Sequence, residues 1–344
     1  SYKFAPNALT VVRESPIVYW WTIADRDAYV SAPKLAQICP VKVGLQTSDN
    51  TRFLRYAWEI AKGKIWLCPP SEKSSPKGFV PLVKGPEGVC WFEPTRHFID
   101  WNDAGFKVRV YDRAVIRNPE YNFRFGVVFN SMGIEFSARL VRHLGIMECK
   151  GRSVFPNETS GLLAFMNSSR ARSVMDSLNP TQDFQVSDVE RLPYWPVQSA
   201  FDIHQTLETA FSVHERHREP SVEFTRPGLS PWRNTQEWAQ LAVDRPDGAP
   251  LPEYVEELDP EPPTDHVSFA VGVALGRFGP NGEGILDPET ADLSHALPHG
   301  ILFLDGTLDD NDLRDGLGHD AAKIIHEKWT HYGSDIAPNM GCLL

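Results

Sequence analysis

Apolar and polar positions change period often along this chain, and most blocks are short. Leu9–Val12 and Ile17–Trp21 are β-branched and aromatic runs, so residues 8–30 are expected to form strands. Residues 32–39 suit a short helix ending near Pro40, and Val41–Leu45 a strand that runs into a glycine turn. Thr47, Ser48, Asp49 and Asn50 are all N-cap types, and Phe53, Leu54, Trp58 and Ile60 follow at helical spacing, which predicts a helix over Thr51–Lys62. Residues 69–89 are rich in Pro, Gly, Ser and Lys, a loop with one strand at Gly78–Val83. Trp101–Val110 is short and mixed. Phe123, Phe125, Val127 and Phe129 alternate as in a strand and stop at a turn over Ser131–Gly133; Phe136–Met147 alternates again around Arg139, Arg142 and His143. Gly151–Phe155 is a strand halted by Pro156.

Helical spacing then dominates. Ser160–Met175 carries it, with the small-residue run Asn167–Ala171 placed to break the helix in the middle. Residues 178–193 form a turn, a brief apolar-polar alternation and another turn. Val197–His217 is a longer helix. Glu219–Pro263 is Pro-rich and acidic, irregular apart from a helix near Asn234–Val243. His266–Leu275 is helical, Gly279–Gly284 a loop, Gly300–Leu304 a short apolar segment, and Asp310–Tyr332 helical at its ends. The pattern predicts a mixed α/β (α+β) fold. Short strands and packed helices fill residues 1–197, and a mainly helical region follows over residues 198–344.

Composition changes this picture in one respect. The 344 residues are 42% hydrophobic and include ten Trp, enough for a substantial core. Net charge is −11, which disfavours a nucleic-acid partner until its distribution is examined. Residues 1–200 hold 25 Lys and Arg against 19 Asp and Glu; the remainder holds 9 against 26. The basic part can hold a phosphate backbone, and the acidic part suits solvent or a protein partner. Five scattered cysteines form no C-x-x-C pair, which argues against a zinc ribbon or disulfide framework and for a reducing, cytoplasmic setting. No apolar run has the length of a membrane span and no signal peptide is visible, so no membrane partner is expected. The chain opens on Ser1, and a piece of a longer protein is the expectation.

Candidate chemistry is sparse. Gly276–Gly284 is glycine-dense but lacks the Lys-Ser/Thr of a phosphate loop, and Pro280-Asn281-Gly282 marks a turn. His214-Glu215-Arg216-His217 is not H-E-x-x-H and has no third ligand. His326–His331 is no better, and Leu308–Gly316 resembles a calcium loop only in composition, with Ala322 where a Glu is needed. No metal and no catalytic residue is expected. Basic groups are more informative. Arg52 and Arg55 lie one helical turn apart after Asp49-Asn50, a place from which paired hydrogen bonds to a base edge can be made. Arg139, Arg142, His143, Lys150 and Arg152 cluster in one hairpin-sized stretch, and Arg109, Arg113, Arg117 and Arg124 in another. Together they make a DNA-facing surface a candidate.

Several segments carry a family resemblance in order: Gly44–Asn50 with Phe53-Leu54-Arg55, Phe123–Ser131 with Phe136–Arg139, Ser153–Pro156, Leu163–Ser168, Leu178–Val186 with Leu192-Pro193, and Pro263–Phe278. This set resembles the region downstream of the catalytic domain in PglX-type adenine-specific methyltransferases of bacterial BREX phage defence, and related DISARM and single-chain restriction-modification enzymes. Residues 44–59 and 178–193 look like the two borders of a DNA target-recognition region. The resemblance implies recognition of double-stranded DNA for methyl transfer from S-adenosylmethionine to adenine N6. The partners implied are a methyltransferase catalytic domain and other phage-defence subunits. Neither a glycine-rich cofactor loop nor an Asp/Asn-Pro-Pro-aromatic motif occurs here, so no cofactor is expected in this chain itself. DNA-contacting candidates are Thr47, Asp49, Asn50, Arg52, Arg55, Arg124, Ser131, Arg139, Arg142, Lys150 and Arg152. Two rival classes remain: a scaffold subunit whose acidic part docks partners or mimics DNA, and a nuclease or hydrolase with dispersed residues.

Overall fold

A computed structural model describes residues 18, 20–85, 91–292 and 324. The strand expected at Leu9–Val12, the segment Gly300–Leu304 and most of Asp310–Tyr332 lie outside the described residues, as do Leu308–Gly316 and His326–His331.

The chain enters through helix α1 (Ile23–Ser31), where strands were expected. Thr22 accepts from the Asp25 amide while the Asp25 carboxylate accepts from the Thr22 amide, a reciprocal cap that starts a helix the apolar pattern did not announce. Helix α2 (Leu35–Ile38) ends before Pro40, as expected, and strand β1 (Val41–Lys42) follows. The expected helix over 51–62 is a single turn, α3 (Asn50–Phe53), after which the chain extends as β2 (Leu54–Tyr56). Phe53 and Leu54 are both buried, which a continuing amphipathic helix would not require of this position. Strands β3 (Phe79–Val83), β4 (Trp91–Glu93) and β5 (His97–Asp100) lead to the short helix α4 (Phe106–Arg109). Four short strands come next: β6 (Val127–Phe129), β7 (Ala138–Val141), β8 (Ile146–Met147) and β9 (Ser153–Val154).

Two sheets result. The first has the order β1-β9-β6-β7-β4, antiparallel except for the parallel pair β4 and β7. The second has the order β2-β5-β3-β8, with β3 antiparallel to β5 and parallel to β8. Leu45, Phe53, Leu54, Trp66, Val80, Ile99, Val108 and Ile146 form the core beneath the second sheet.

Helices α5 (Thr159–Met166) and α6 (Ser169–Leu178) are separated at Asn167-Ser168, where the break was expected. Asn167 is fully buried, and its amide substitutes for a strand partner: Oδ1 accepts from the Ala138 amide at 3.0 Å and Nδ2 donates to the Ala138 carbonyl at 2.8 Å. Residues 178–193 include a third short helix, α7 (Val186–Glu190), in place of the expected alternation. The Asp188 carboxylate accepts from Asn179, the Gln185 amide and Arg191, and Leu192 O accepts from Leu35 N, so this run is a buried clasp onto α2. Helices α8 (Ala200–His217), α9 (Trp232–Val243) and α10 (Pro263–Ala274) complete the described elements near their expected positions.

The fold is thus mixed α/β, as expected. Packing divides the described chain into two compact units, one within Ser1–Arg55, Trp66–Thr209 and Thr235–Val255, the other within Tyr56–Ile65, Ala210–Asn234 and Glu256–Leu344. The second unit is centred on Phe224, Phe269 and Phe278, and Gly272 lets the Phe278 ring approach, since a Cβ there would lie 2.3 Å from it. Gly279–Gly284 forms a turn closed by the Phe278–Ile285 bridge. Among the described residues no helix is long and apolar enough to cross a membrane, and no trio of His, Cys, Asp or Glu could hold a metal ion.

Candidate nucleic-acid interface

The loop from Gly44 to Asn50 owes its shape to close backbone packing. Leu45 N donates to Met147 O and Cys149 N donates to Leu45 O, while Gln46 and Val115 exchange both backbone bonds. A Cβ on Gly44 would sit 1.9 Å from Met147 O, so only glycine fits. The polar cluster that follows is spent on the turn. Thr47 is 2% exposed and its hydroxyl donates to Asn50 Oδ1 at 2.5 Å; Asp49 caps the Arg52 amide at 3.0 Å. Thr47 therefore shapes the loop from inside, and Asn50 is at the surface.

The two arginines part company here. Arg52 is exposed, and its guanidinium lies over the Tyr111 ring at 5.0 Å and the Phe53 ring at 5.4 Å. It has no hydrogen-bond acceptor among the described residues. Stacking holds the planar fork without consuming its donors, so it is prepared for bidentate recognition. Arg55 is not on the same helix. It lies in β2, and its Nη1 donates to Thr51 O at 3.1 Å and Leu54 O at 2.6 Å. Both line a cavity of about 290 Å3 with Phe53, Phe79, Asp100, Phe106, Lys107 and Val110. Burial works to raise the Asp100 carboxyl, but its pairing with Lys107 at 2.6 Å and the two donors of Asn102 outweigh it and hold the carboxyl below its ordinary value. The ring of Phe106 and the side chain of Val110 remain exposed at this cavity.

The hairpin cluster is largely internal. Arg139 is 0% exposed: Nε bonds Glu93 and Nη2 donates to Lys84 O at 2.7 Å. In β7, paired with Val128 and Trp91, its side chain is enclosed by the protein, so the expected DNA contact by Arg139 is corrected to a structural role. Ser131 is buried too, and Arg152 is tied to Asp183 and Phe184 O. Arg142 is half-buried; Lys150 is exposed. Arg124 is exposed and stacked on Tyr121, its guanidinium carbon 5.0 Å from the ring centre. The structure thus brings Asp49, Asn50, Arg52 and Arg55 together in one place and leaves Arg124 and Lys150 at the surface. The tyrosines that carry Arg52 and Arg124 were missed in the sequence. Their signal was available: Tyr111 lies between Arg109 and Arg113, and Tyr121 precedes Arg124 by three positions.

The chain is similar to adenine-specific methyltransferases. With PglX of Lacticaseibacillus casei (strain Zhang) it shares 29% identity over 205 residues, covering 56% of this chain and 17% of that protein. With BrxX of Escherichia coli O9:H4 (strain HS) it shares 29% over 232 residues, covering 65% of this chain and 18% of that protein. The matched stretch is thus under a fifth of either relative's length. No protein-family model matches the chain.

Proposed function

We propose that this chain is the DNA-recognition part of an adenine-specific DNA methyltransferase of bacterial phage defence. The observation that carries the reading is Arg52: an exposed guanidinium over the Tyr111 ring, with no hydrogen-bond acceptor among the described residues, beside a loop anchored by the buried Leu45 and Thr47. The likeness to two adenine-specific methyltransferases supports the same reading. In it, residues 1–197 supply the recognition surface, Arg52 reads a base edge, and Arg124 and Lys150 meet the backbone. A separate catalytic domain binds S-adenosylmethionine and the target adenine, because the motifs for both are missing from this sequence.

The test is selection of bound duplexes from a random pool by the 344-residue chain. A short preferred sequence is expected, and Arg52→Ala is expected to change or erase one position of it. A base contact of this kind is worth about 1–3 kcal/mol of discrimination. No enrichment by the unaltered chain at low salt would refute the reading. A docking role is the second reading. It draws on the acidic stretch Glu253–Glu261, where Val255 is 62% and Leu258 46% exposed. That role predicts binding of a partner protein with no selection among DNA sequences.

A further inference from the structure

Lys42 and Arg124 are 82 positions apart in the chain, yet both stand on one ring. Lys42 Nζ is 5.4 Å and the Arg124 guanidinium carbon 5.0 Å from the centre of Tyr121. The ring has packing support. It packs on Phe155, centroids 4.9 Å apart, and its turn is pinned by Asn118, whose Nδ2 donates to Val43 O at 2.8 Å. Lys42 closes β1, the edge strand of the first sheet, so its side of the sheet is not covered by another strand.

Neither cation has an ion pair or a hydrogen bond with a described residue, and the adjacent carboxylate of Glu120 makes none either. Two like charges held against one ring repel each other, and a surface aromatic attracts each only weakly. An anion bound at this ring's edge would relieve that repulsion. The chemistry is a point charge from Lys and a planar fork from Arg, a combination suited to phosphate oxygens. Backbone geometry puts further cations nearby. Arg117 precedes Asn118, and Lys150 follows Cys149, whose amide is bonded to Leu45 in the chain leaving β1.

We propose that Lys42 and Arg124, held on Tyr121, form a clamp for the phosphate backbone of duplex DNA, separate from the base-reading Arg52. This rests on the DNA-binding reading above and adds Lys42 and Tyr121, which position the duplex without reading it.

The experiment is a salt titration of the full chain with a labelled duplex, read by fluorescence anisotropy. The unaltered chain is expected to lose affinity steeply with salt. Lys42→Ala and Arg124→Ala are each expected to flatten the log–log slope by about 1 and to weaken binding on the order of tenfold. Neither should alter which sequences are selected. Tyr121→Phe should behave like the unaltered chain, and Tyr121→Leu, which keeps both charges, should weaken binding as Arg124→Ala does. Unchanged slope and affinity in both alanine variants, with the unaltered chain binding duplex, would overturn the clamp and leave the Arg52 reading standing. No duplex binding by the unaltered chain would overturn both. A changed sequence preference in Arg124→Ala would also overturn it, because that residue would then be reading bases.

Discussion

Arg139→Ala should damage the fold and spare DNA affinity. The guanidinium is completely buried, and its ion-pair partner Glu93 is 18% exposed. Truncation leaves that carboxylate, in a site with little access to water, without its cation, and also removes the donor to Lys84 O at 2.7 Å. Breaking a buried pair from one side costs about 3–5 kcal/mol. A domain holds only about 5–15 kcal/mol in total, so unfolding should begin at distinctly lower denaturant. Arg139→Met fills the volume but leaves Glu93 charged, so it should cost nearly as much. Combining it with Glu93→Gln removes the charge that Arg139 compensated and should recover part of the loss. The assay is urea unfolding followed by tryptophan fluorescence, with duplex affinity measured on the folded variants. A loss below about 1 kcal/mol together with a flatter salt slope would show that Arg139 faces DNA and not the core.

Two further outcomes are expected. Burial holds the His214 imidazole down to about 4 from an ordinary 6.5, aided by the nearby charges of Arg218 and His217. The unfolded chain takes up that proton first, so His214 contributes stability that is present above about 6.5 and lost as pH falls toward 4. Glu215, whose carboxyl is raised chiefly by burial, acts in the opposite direction, so the comparison must be between the unaltered chain and His214→Gln. The variant should show a flatter fall in unfolding midpoint on acidification; superimposable profiles would refute the assignment. The purified chain should transfer no methyl group from tritiated S-adenosylmethionine to DNA, since it carries neither cofactor loop nor adenine motif, and label incorporation free of host enzyme would contradict this.

A division of labour between sequence and tertiary structure follows from particular elements. The helices α5, α6, α8, α9 and α10 were legible because each repeats apolar positions over several turns, and the gap at Asn167-Ser168 because small polar residues interrupt that repeat. β3 and β9 were legible from their Gly and Pro borders. The charge split and the absence of catalytic motifs needed no coordinates at all. Helix α1 escaped because its start is a reciprocal cap while its apolar pattern is weak. The helix expected over 51–62 failed because two successive residues, Phe53 and Leu54, enter one core, and packing outweighed local spacing. Arg139 was misplaced for a related reason: β7 has Ala138, Arg139 and Leu140 all buried, and where both faces of a strand are covered, alternation no longer tells inside from outside. Which arginines have open donors is likewise a tertiary fact. Arg52 and Arg55 look equivalent in sequence, but only packing decides that one stacks on a tyrosine from a distant segment while the other is bound by nearby carbonyls, because both outcomes depend on where the chain returns.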